Sequence, residues 1–459
     1  MKRMKTSTIV LVSIGLLLYV WAVGSTAASS PIGEQPVGLS LSEAIGKALA
    51  KNPMIDASQA KRNASAERIV QARSGFYPQL YASGAYQVTT NPMWAFGTKL
   101  NQADIAQQDF MPDKLNDPSS IDNFNTQIGL NWSIYNGGKS WHGLKQSDMA
   151  YQASVAGFDK TRQDVIARAI MAYTDLVYVS NCSVVVDQSL ITAKAHLKMI
   201  EDRYNNGLTV KSDLLRARVH IAELEQRQVD VKSQILVAQA ALLAVMDESQ
   251  AYEFNASTPL YEKKTDAGSL DDWVDRAMAT RPDFLQMGYM EKAMEEGVKK
   301  ARAGHMPSLN VQGKYEINTA DFDDNADSYT IGANVTVNLF SGMAISAQTR
   351  EAVYRLNEIR SQKKGLALHI RLQTKQAYYM LQSAETRIHT AEVSIDEARE
   401  TLRIVKDRYH NGQLSIVGLL DAELTLDRAK NNYFMALKDH MQARSGLELA
   451  AGTLDASFQ

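Results

Sequence analysis

The stretch best suited to phosphate chemistry is Asn136-Gly137-Gly138-Lys139-Ser140, two glycines ahead of a lysine and a hydroxyl. A phosphate-cradling loop also needs a glycine five residues before Gly138, and that position holds Ser133. The related turn Phe340-Ser341-Gly342-Met343 has no lysine, so both stretches read as joints between elements. The eight histidines are scattered and form no His-Glu-x-x-His pair. There is no G-x-S-x-G elbow, and the 18 methionines spread through helical segments, where they fill gaps in a core. No enzyme chemistry, cofactor or metal site is expected. Two carboxylates remain: Asp213 is six residues past Gly207, and Asp421 nine past Gly412. Each favours the positive end of a helix; repeated by symmetry at the mouth of a tube, such groups filter ions by charge.

The elements that must position these groups occur twice. Leu41, Pro53, Arg73, Gly75, Pro78, Leu80, Gly84 and Tyr86 recur at one constant offset as Leu270, Pro282, Arg302, Gly304, Pro307, Leu309, Gly313 and Tyr315. Arg203, Tyr204, Asn206, Gly207, Leu214, Leu215 and Ala217 recur at a second, smaller offset as Arg408, Tyr409, Asn411, Gly412, Leu419, Leu420 and Ala422. The first offset is 270 less 41, or 229, and the second is 408 less 203, or 205. Their difference, 229 less 205, places one lengthened loop in the first copy after Tyr86. The chain therefore divides into 1–28, a first repeat over 29–262 and a second over 263–459. Each repeat holds short helices, a strand pair and a helical hairpin, with tips at 206–208 and 411–413.

Proline is absent between Pro118 and Pro259 and after Pro307. The first long helical pattern runs from Gly138–Lys139 to Asn206, roughly 100 Å of helix, too long for a compact domain. Its return helix places Val210, Leu214, Ala217, Ile221, Leu224, Gln228, Val231, Ile235, Ala238, Leu242 and Val245 at the alternating four–three spacing of a coiled-coil seam. The second offset carries this into another seam, richer in alanine, from Ser415 through Tyr433 and His440 to Ala450. On the first long helix, Ile166, Ile170, Tyr173 and Val177 start one stripe, and Val186, Leu190, Ala193, Leu197, Ile200 and Tyr204 form another. Gly207 and Gly412 reverse the chain at the hairpin ends, where a left-handed residue is needed.

Four segments alternate with period two. Leu80, Ala82, Gly84, Tyr86 and Val88 form one apolar row; Ile128, Leu130, Trp132 and Ile134 form the next. Leu309, Val311, Tyr315 and Ile317 form a third, and Ile331, Ala333, Val335, Val337 and Leu339 the last, each interleaved with polar or small residues. Strands of about ten residues, apolar outward and polar inward, have the pattern of membrane β-strands. Four strands cannot close a barrel, and an open edge in lipid leaves backbone groups unpaired, so several chains must share one barrel. Residues 87–123 link the first strand pair and 318–327 the second; the longer link carries Trp94, Phe96 and Phe110 and is expected outside the cell.

Residues 1–28 read as a secretory signal: basic Lys2, Arg3 and Lys5, an apolar stretch from Ile9 to Val23, and small residues at Ser25–Ala28. The single cysteine, Cys182, falls mid-helix and has no partner for an intrachain disulfide. A net charge of −2 gives no electrostatic case for nucleic acid. After the signal no run of 18 purely apolar residues occurs, so no membrane helix is expected.

The duplicated strand pair and hairpin, with tips Arg203-Tyr-Asn-Asn-Gly-Leu208 and Arg408-Tyr-His-Asn-Gly-Gln413, resemble the TolC-like outer-membrane efflux proteins over about Leu39 to Gly452. The resemblance implies a mainly α chain with membrane β: a homotrimer whose β-barrel, four strands per chain, continues as a coiled-coil α-helical barrel through the periplasm. It implies an exit duct in the outer membrane, in contact with its lipid. The partners would be a periplasmic adaptor of the membrane-fusion type and an inner-membrane transporter, proton-driven (RND-type) or ATP-driven (ABC-type), serving efflux or type I secretion. By the same resemblance Asn206, Gly207, Leu208, Asn411, Gly412 and Gln413 dock the adaptor, and Asp213, Tyr409 and Asp421 form the periplasmic gate. The family pattern has a second acid where this chain has Gly418 and a basic residue where it has Leu414, which implies a more weakly held gate. The competing reading is a non-transport envelope protein, a barrel-anchored tether or adhesin. Polar strand faces and matched periplasmic tips favour transport.

Overall fold

A computed structural model describes residues 37–248, 254–263, 268–322 and 324–458; the expected signal segment, 1–28, lies outside them. The first half runs β1 (Val37–Leu39), α1 (Leu41–Lys51), α2 (Pro53–Ser74), β2 (Gln79–Thr89), α3 (Pro92–Asn101), α4 (Pro112–Asn116), β3 (Ile121–Asn136), α5 (Lys139–Asn205) and α6 (Lys211–Met246). The second runs β4 (Phe254–Ala256), α7 (Leu270–Thr280), α8 (Pro282–Arg302), β5 (Ser308–Thr319), β6 (Ala326–Thr336), α9 (Ala344–His410) and α10 (Ile416–Ala451).

The recurring residues sit at equivalent structural punctuation. Ser40 and Ser269 each close a capping box, with Glu43 and Asp272, just before Leu41 and Leu270. Pro53 and Pro282 take the first position of α2 and α8, where a missing N–H breaks no helical bond. β1 and β4 pair in parallel, and the buried Tyr173 hydroxyl of α5 ties them in: it donates to Leu39 O and accepts from Thr258 N, both at 2.8 Å. Around it Leu41, Ile45, Ile166, Ile170, Leu242 and Met246 form the main core, midway along the rods.

α5 and α9 each span 67 residues, about 100 Å at the helical rise, while α6 and α10 each span 36. The expected seams are largely buried. Leu214, Ala217, Ile221, Leu224, Val231 and Leu242 are covered on α6, and Ile416 (beside Ser415), Leu419, Ala422, Leu426, Ala429, Ala436, His440 and Leu447 on α10. The seams fray at the tip: Val210, Tyr204 and Ser415 are exposed, because the chain there is already turning. Gln228, the polar position within the α6 seam, donates to Asp187 of α5 at 2.6 Å.

By hydropathy alone α5 and α6 each contain an 18-residue stretch apolar enough to cross a membrane, with mean values of 1.4 and 1.5. The expectation from the sequence missed this because it required an unbroken apolar run. Helices of 67 and 36 residues overrun a bilayer that about 20 residues span. α5 itself packs on α6, α8 and α10.

At three levels the elements form one open row. The sheet has the order β2-β3-β5-β6, antiparallel throughout. Beside it α2 packs on α5, α5 on α8 and α8 on α9; toward the tips α6 packs on α5, α5 on α10 and α10 on α9.

The sheet separates its faces, except that Asp122 and Asp327 fall among the apolar groups near one end. Pairs Leu80–Leu130, Ala82–Ile128, Ile128–Tyr315 and Tyr315–Tyr329 put apolar groups on one side. On the other, Gln127 donates to Ser83 (2.9 Å), Asn125 to Asn318 (2.9 Å), and Lys314 pairs with Glu316 (2.7 Å). Two expected rows need correction. The β3–β5 register shifts between Ser133 and Tyr135, so Ile134 is the bulged residue and Tyr135 takes the place opposite Leu309. β6 ends at Thr336, opposite Ser308 where β5 begins, so Val337 and Leu339 have no strand to pair with. β3 is also longer than expected, at 16 residues. The expected loop 87–123 narrows to residues 90–120 and contains α3, a 3-10 turn and α4.

The glycine-rich joint makes a turn. Gly137 (φ 69°) and Gly138 (φ 87°) are left-handed, as are Gly342 and Met343 in the second copy. Asn136 Oδ1 accepts the Ser140 N–H at 3.0 Å, so the loop satisfies its own helix start.

Candidate functional site

Both hairpins end in the same motif. Gly207 N donates to Tyr204 O (2.9 Å) and Leu208 N to Arg203 O (2.8 Å); Gly412 N and Gln413 N repeat this on Tyr409 O (3.1 Å) and Arg408 O (2.9 Å). The motif needs a left-handed residue at the glycine, and φ is 72° and 73°. A side chain at either position would meet open space, so both turns present bare backbone. Asn206, Leu208, Asn411 and Gln413 are all exposed around them, Leu208 at 76% although it is apolar.

Below the turns the two hairpins share a small core. Ile200, Leu214 and Ala217 of the first pack with Tyr409, Ile416 and Leu419 of the second. Tyr409 is 6% exposed, and the Arg203 guanidinium sits 5.3 Å from its ring centre. Burial pushes the Tyr409 phenol up from its ordinary value, Arg203 pulls it back, and Asp213 adds to the rise. The phenol therefore stays protonated at neutral pH and can donate. Asp213 stands at the third position of α6, where its carboxylate accepts from Thr209 Oγ1 at 2.9 Å. Asp213 and Tyr409 thus lie near enough to interact electrostatically within one chain, Thr209 being bonded to Asp213 and Arg203 standing over Tyr409. Asp421 lies on α10 with an exposed side chain.

Arg203 and Thr209 were given no site role from sequence, although the recurrence of Arg203 as Arg408 was the available signal. Further along the α5–α10 seam, His196 Nε2 meets Glu423 Oε1 at 2.7 Å, and Ser189 donates to Asp427 at 2.5 Å. Burial raises the Asp427 carboxyl while the Ser189 hydrogen bond lowers it. These four residues join the hairpins by polar contacts that hydropathy patterning does not register. No group of three or more metal-ligating side chains occurs among the described residues.

The family model described as outer membrane efflux protein matches residues 44–247 and 273–453. The outer membrane protein TolC of Salmonella enteritidis is 22% identical over 416 residues, which cover 88% of this chain and 80% of that protein. The alkaline protease secretion protein AprF of Pseudomonas aeruginosa is 21% identical over 308 residues, 65% of this chain and 63% of that one. Among solved structures, the Campylobacter jejuni CmeC outer membrane channel superposes with a TM-score of 0.78 at 17% identity, covering 91% of this chain and 86% of that one. That likeness extends the fold over both hairpins and the sheet.

Proposed function

The chain belongs to the outer membrane efflux protein family, and from that premise we propose that three copies of it complete one passive duct. It is an outer-membrane protein, an exit duct of the kind used in efflux and type I secretion. Its relatives are channels and not enzymes.

The observation that carries the three-chain reading is the coincidence of free edges. β2, α2 and α6 end the row on one side, and β6 and α9 end it on the other, at all three levels. A neighbour that pairs β6 with β2 therefore also lays α9 against α2 and α6. Three chains supply twelve strands and four helices each at both helical levels, closing a barrel in the membrane and a coiled-coil tube below it. Closure satisfies the edge strands, which in lipid have no water to bond. Exposed Val219, Val229, Leu236 and Val237 on α6, with Leu368 and Leu372 on α9, are the apolar groups such a neighbour would cover.

The polar sheet face lines the bore in this arrangement, and the apolar face meets outer-membrane lipid. The bare turns at Asn206-Gly207-Leu208 and Asn411-Gly412-Gln413 take a periplasmic adaptor, which couples the duct to an inner-membrane transporter, proton-driven or ATP-driven. Asp213, Tyr409 and Asp421 act as the periplasmic gate. The division into repeats at 262/263 follows from the same alternation of strand pair and hairpin. The mass of the purified protein in detergent, together with its conductance in a planar bilayer, tests this. A three-chain particle that conducts ions is expected; a monomer without conductance would end the proposal.

A further inference from the structure

The extra length of the first strand pair folds into a defined body. Asn91 caps α3 by accepting the Trp94 N–H at 3.3 Å. Asp109 accepts from Lys99 Nζ and from Ala106 N, both at 2.8 Å, and Phe96 and Phe110 meet edge-to-face at 5.6 Å. The end of α3 is fastened to the sheet: buried Gln102 donates to Asp122 O (2.7 Å) and to Asn123 Oδ1 (2.9 Å). Asn123 belongs to the polar face, opposite Gln87, and donates in turn to Asn318 Oδ1 at 2.9 Å. α3 also reaches β6, and Asn318, on the polar face near the outer end of β5, is 2% exposed. The insert therefore leans across the polar side of the sheet, from β3 toward β6.

Large apolar groups stand exposed on the insert, among polar ones such as Asp104, Asp113 and Lys114. Met93, Trp94 and Leu100 of α3 are 78%, 63% and 51% exposed, and Phe110 and Met111 are 57% and 60% exposed. Lipid is the wrong occupant on geometric grounds. The lipid-side aromatics at this end, Tyr86, Phe124 and Phe322, stack on the opposite face, with centroids 4.7 and 4.4 Å apart. The insert starts just after the free edge strand β2 ends, so it is continuous with the edge that a second copy would occupy.

We propose that the three inserts of a trimer meet over the bore and bury these side chains against one another, forming an apolar constriction at the outer mouth. This rests on the three-chain reading above and adds a second narrow point, at the end opposite the tips. A constriction lined by apolar groups limits ion flow by dewetting.

The test uses the full-length protein with Cys182→Ser and Trp94→Cys, oxidised in the membrane, beside a variant whose residues 91–119 are replaced by the segment 320–325. Disulfide-linked pairs of chains are expected from the first, and from the second a particle that remains three-chain and whose conductance rises about twofold or more. A three-chain particle that neither cross-links nor gains conductance overturns the constriction and leaves the trimer standing. A monomeric particle removes both. Bromolipid quenching of emission that disappears on Trp94→Phe would give this surface to lipid, and also overturns the proposal.

Discussion

Leu414 lies over Gly418: a Cβ placed on Gly418 would stand 2.8 Å from Leu414 Cδ2 and 3.2 Å from its Cγ. The two positions where the chain departs from the gate pattern are therefore one packed pair. Gly418 is at the third position of α10, where replacing glycine gains about 1 kcal/mol of helix propensity and an acid adds roughly 0.3–1 kcal/mol from the dipole. Gly418→Asp is expected to realise that gain only when Leu414 is cut back to alanine. A double-mutant cycle in chemical denaturation should show a coupling of about 0.5 kcal/mol or more. Additive effects would mean that Leu414 moves aside freely.

Arg203 over Tyr409, at 5.3 Å, adds a polar contact to the small apolar core that joins the two hairpin ends within one chain. A partly exposed pair of this kind contributes about 0.5–1 kcal/mol, and three copies in the proposed trimer would together shift a closed-to-open ratio by roughly ten- to 150-fold. Single-channel records of Arg203→Ala and Asp213→Ala are expected to show longer or larger openings than the parent. If Asp213→Ala conducts as the parent does, Asp213 is no part of the latch.

Glycines with the same backbone angle differ in what surrounds them. Gly207, at φ 72°, has open space where a side chain would go, so Gly207→Ala costs only the left-handed strain, about 1 kcal/mol. Gly452, also at φ 72°, would put its Cβ 2.6 Å from Arg281 Cα and 2.9 Å from Arg281 N. Backbone cannot swing away as a side-chain tip can, and Arg281 is pinned by Asp283 at 2.7 Å and Gln373 at 2.8 Å. Gly452→Ala should therefore lower the thermal midpoint by several times the Gly207→Ala shift. Equal shifts would refute the packing argument.

The rods and strands were legible because their periods differ. Apolar residues at four–three spacing mark α6 and α10, and alternation marks the β-strands. Residues such as Leu214 and Leu419 carry that signal without reference to distant contacts. The bulge at Ile134 was invisible because it depends on the register of β3 against β5, which the whole first hairpin separates in the chain. The insert read as a loop because its apolar residues follow neither period for long enough. At the tips, Gly207 and Gly412 announced the turns by type. The role of Arg203 needed the other hairpin in place, since its contact is with Tyr409 in the second repeat.

His440 lies in the α10 seam, fully buried, and neither ring nitrogen has a hydrogen-bond partner. Burial holds its pKa below the ordinary 6.5; Glu262 pushes it up and Arg444 down. A histidine lowered in the folded state supports the fold above 6.5, where both states are neutral, and destabilises it as pH falls, because the unfolded chain takes the proton first. The parent is expected to lose thermal stability as pH drops below 6.5, and His440→Leu, an apolar side chain for a seam position, should lose less. Parallel pH profiles for the two would show that other groups set the acid sensitivity.

Leu236 and Val237 separate folding from assembly. Both face away from the hairpin core, 67% and 68% exposed on α6, whereas Leu242 on the same helix is fully buried. Val237→Lys keeps its charge in water in a single chain and changes its folding stability by no more than about 0.5 kcal/mol. At a closed α6–α9 seam the same lysine would lose water without an assigned partner, a cost of several kcal/mol per copy. Mass in detergent should therefore fall from trimer to monomer for Val237→Lys while helical circular dichroism is retained. Leu242→Lys should lose helical signal along with assembly, since it strikes the core of the hairpin itself. A Val237→Lys protein that remains a stable trimer would place the neighbouring chain on some other face of α6.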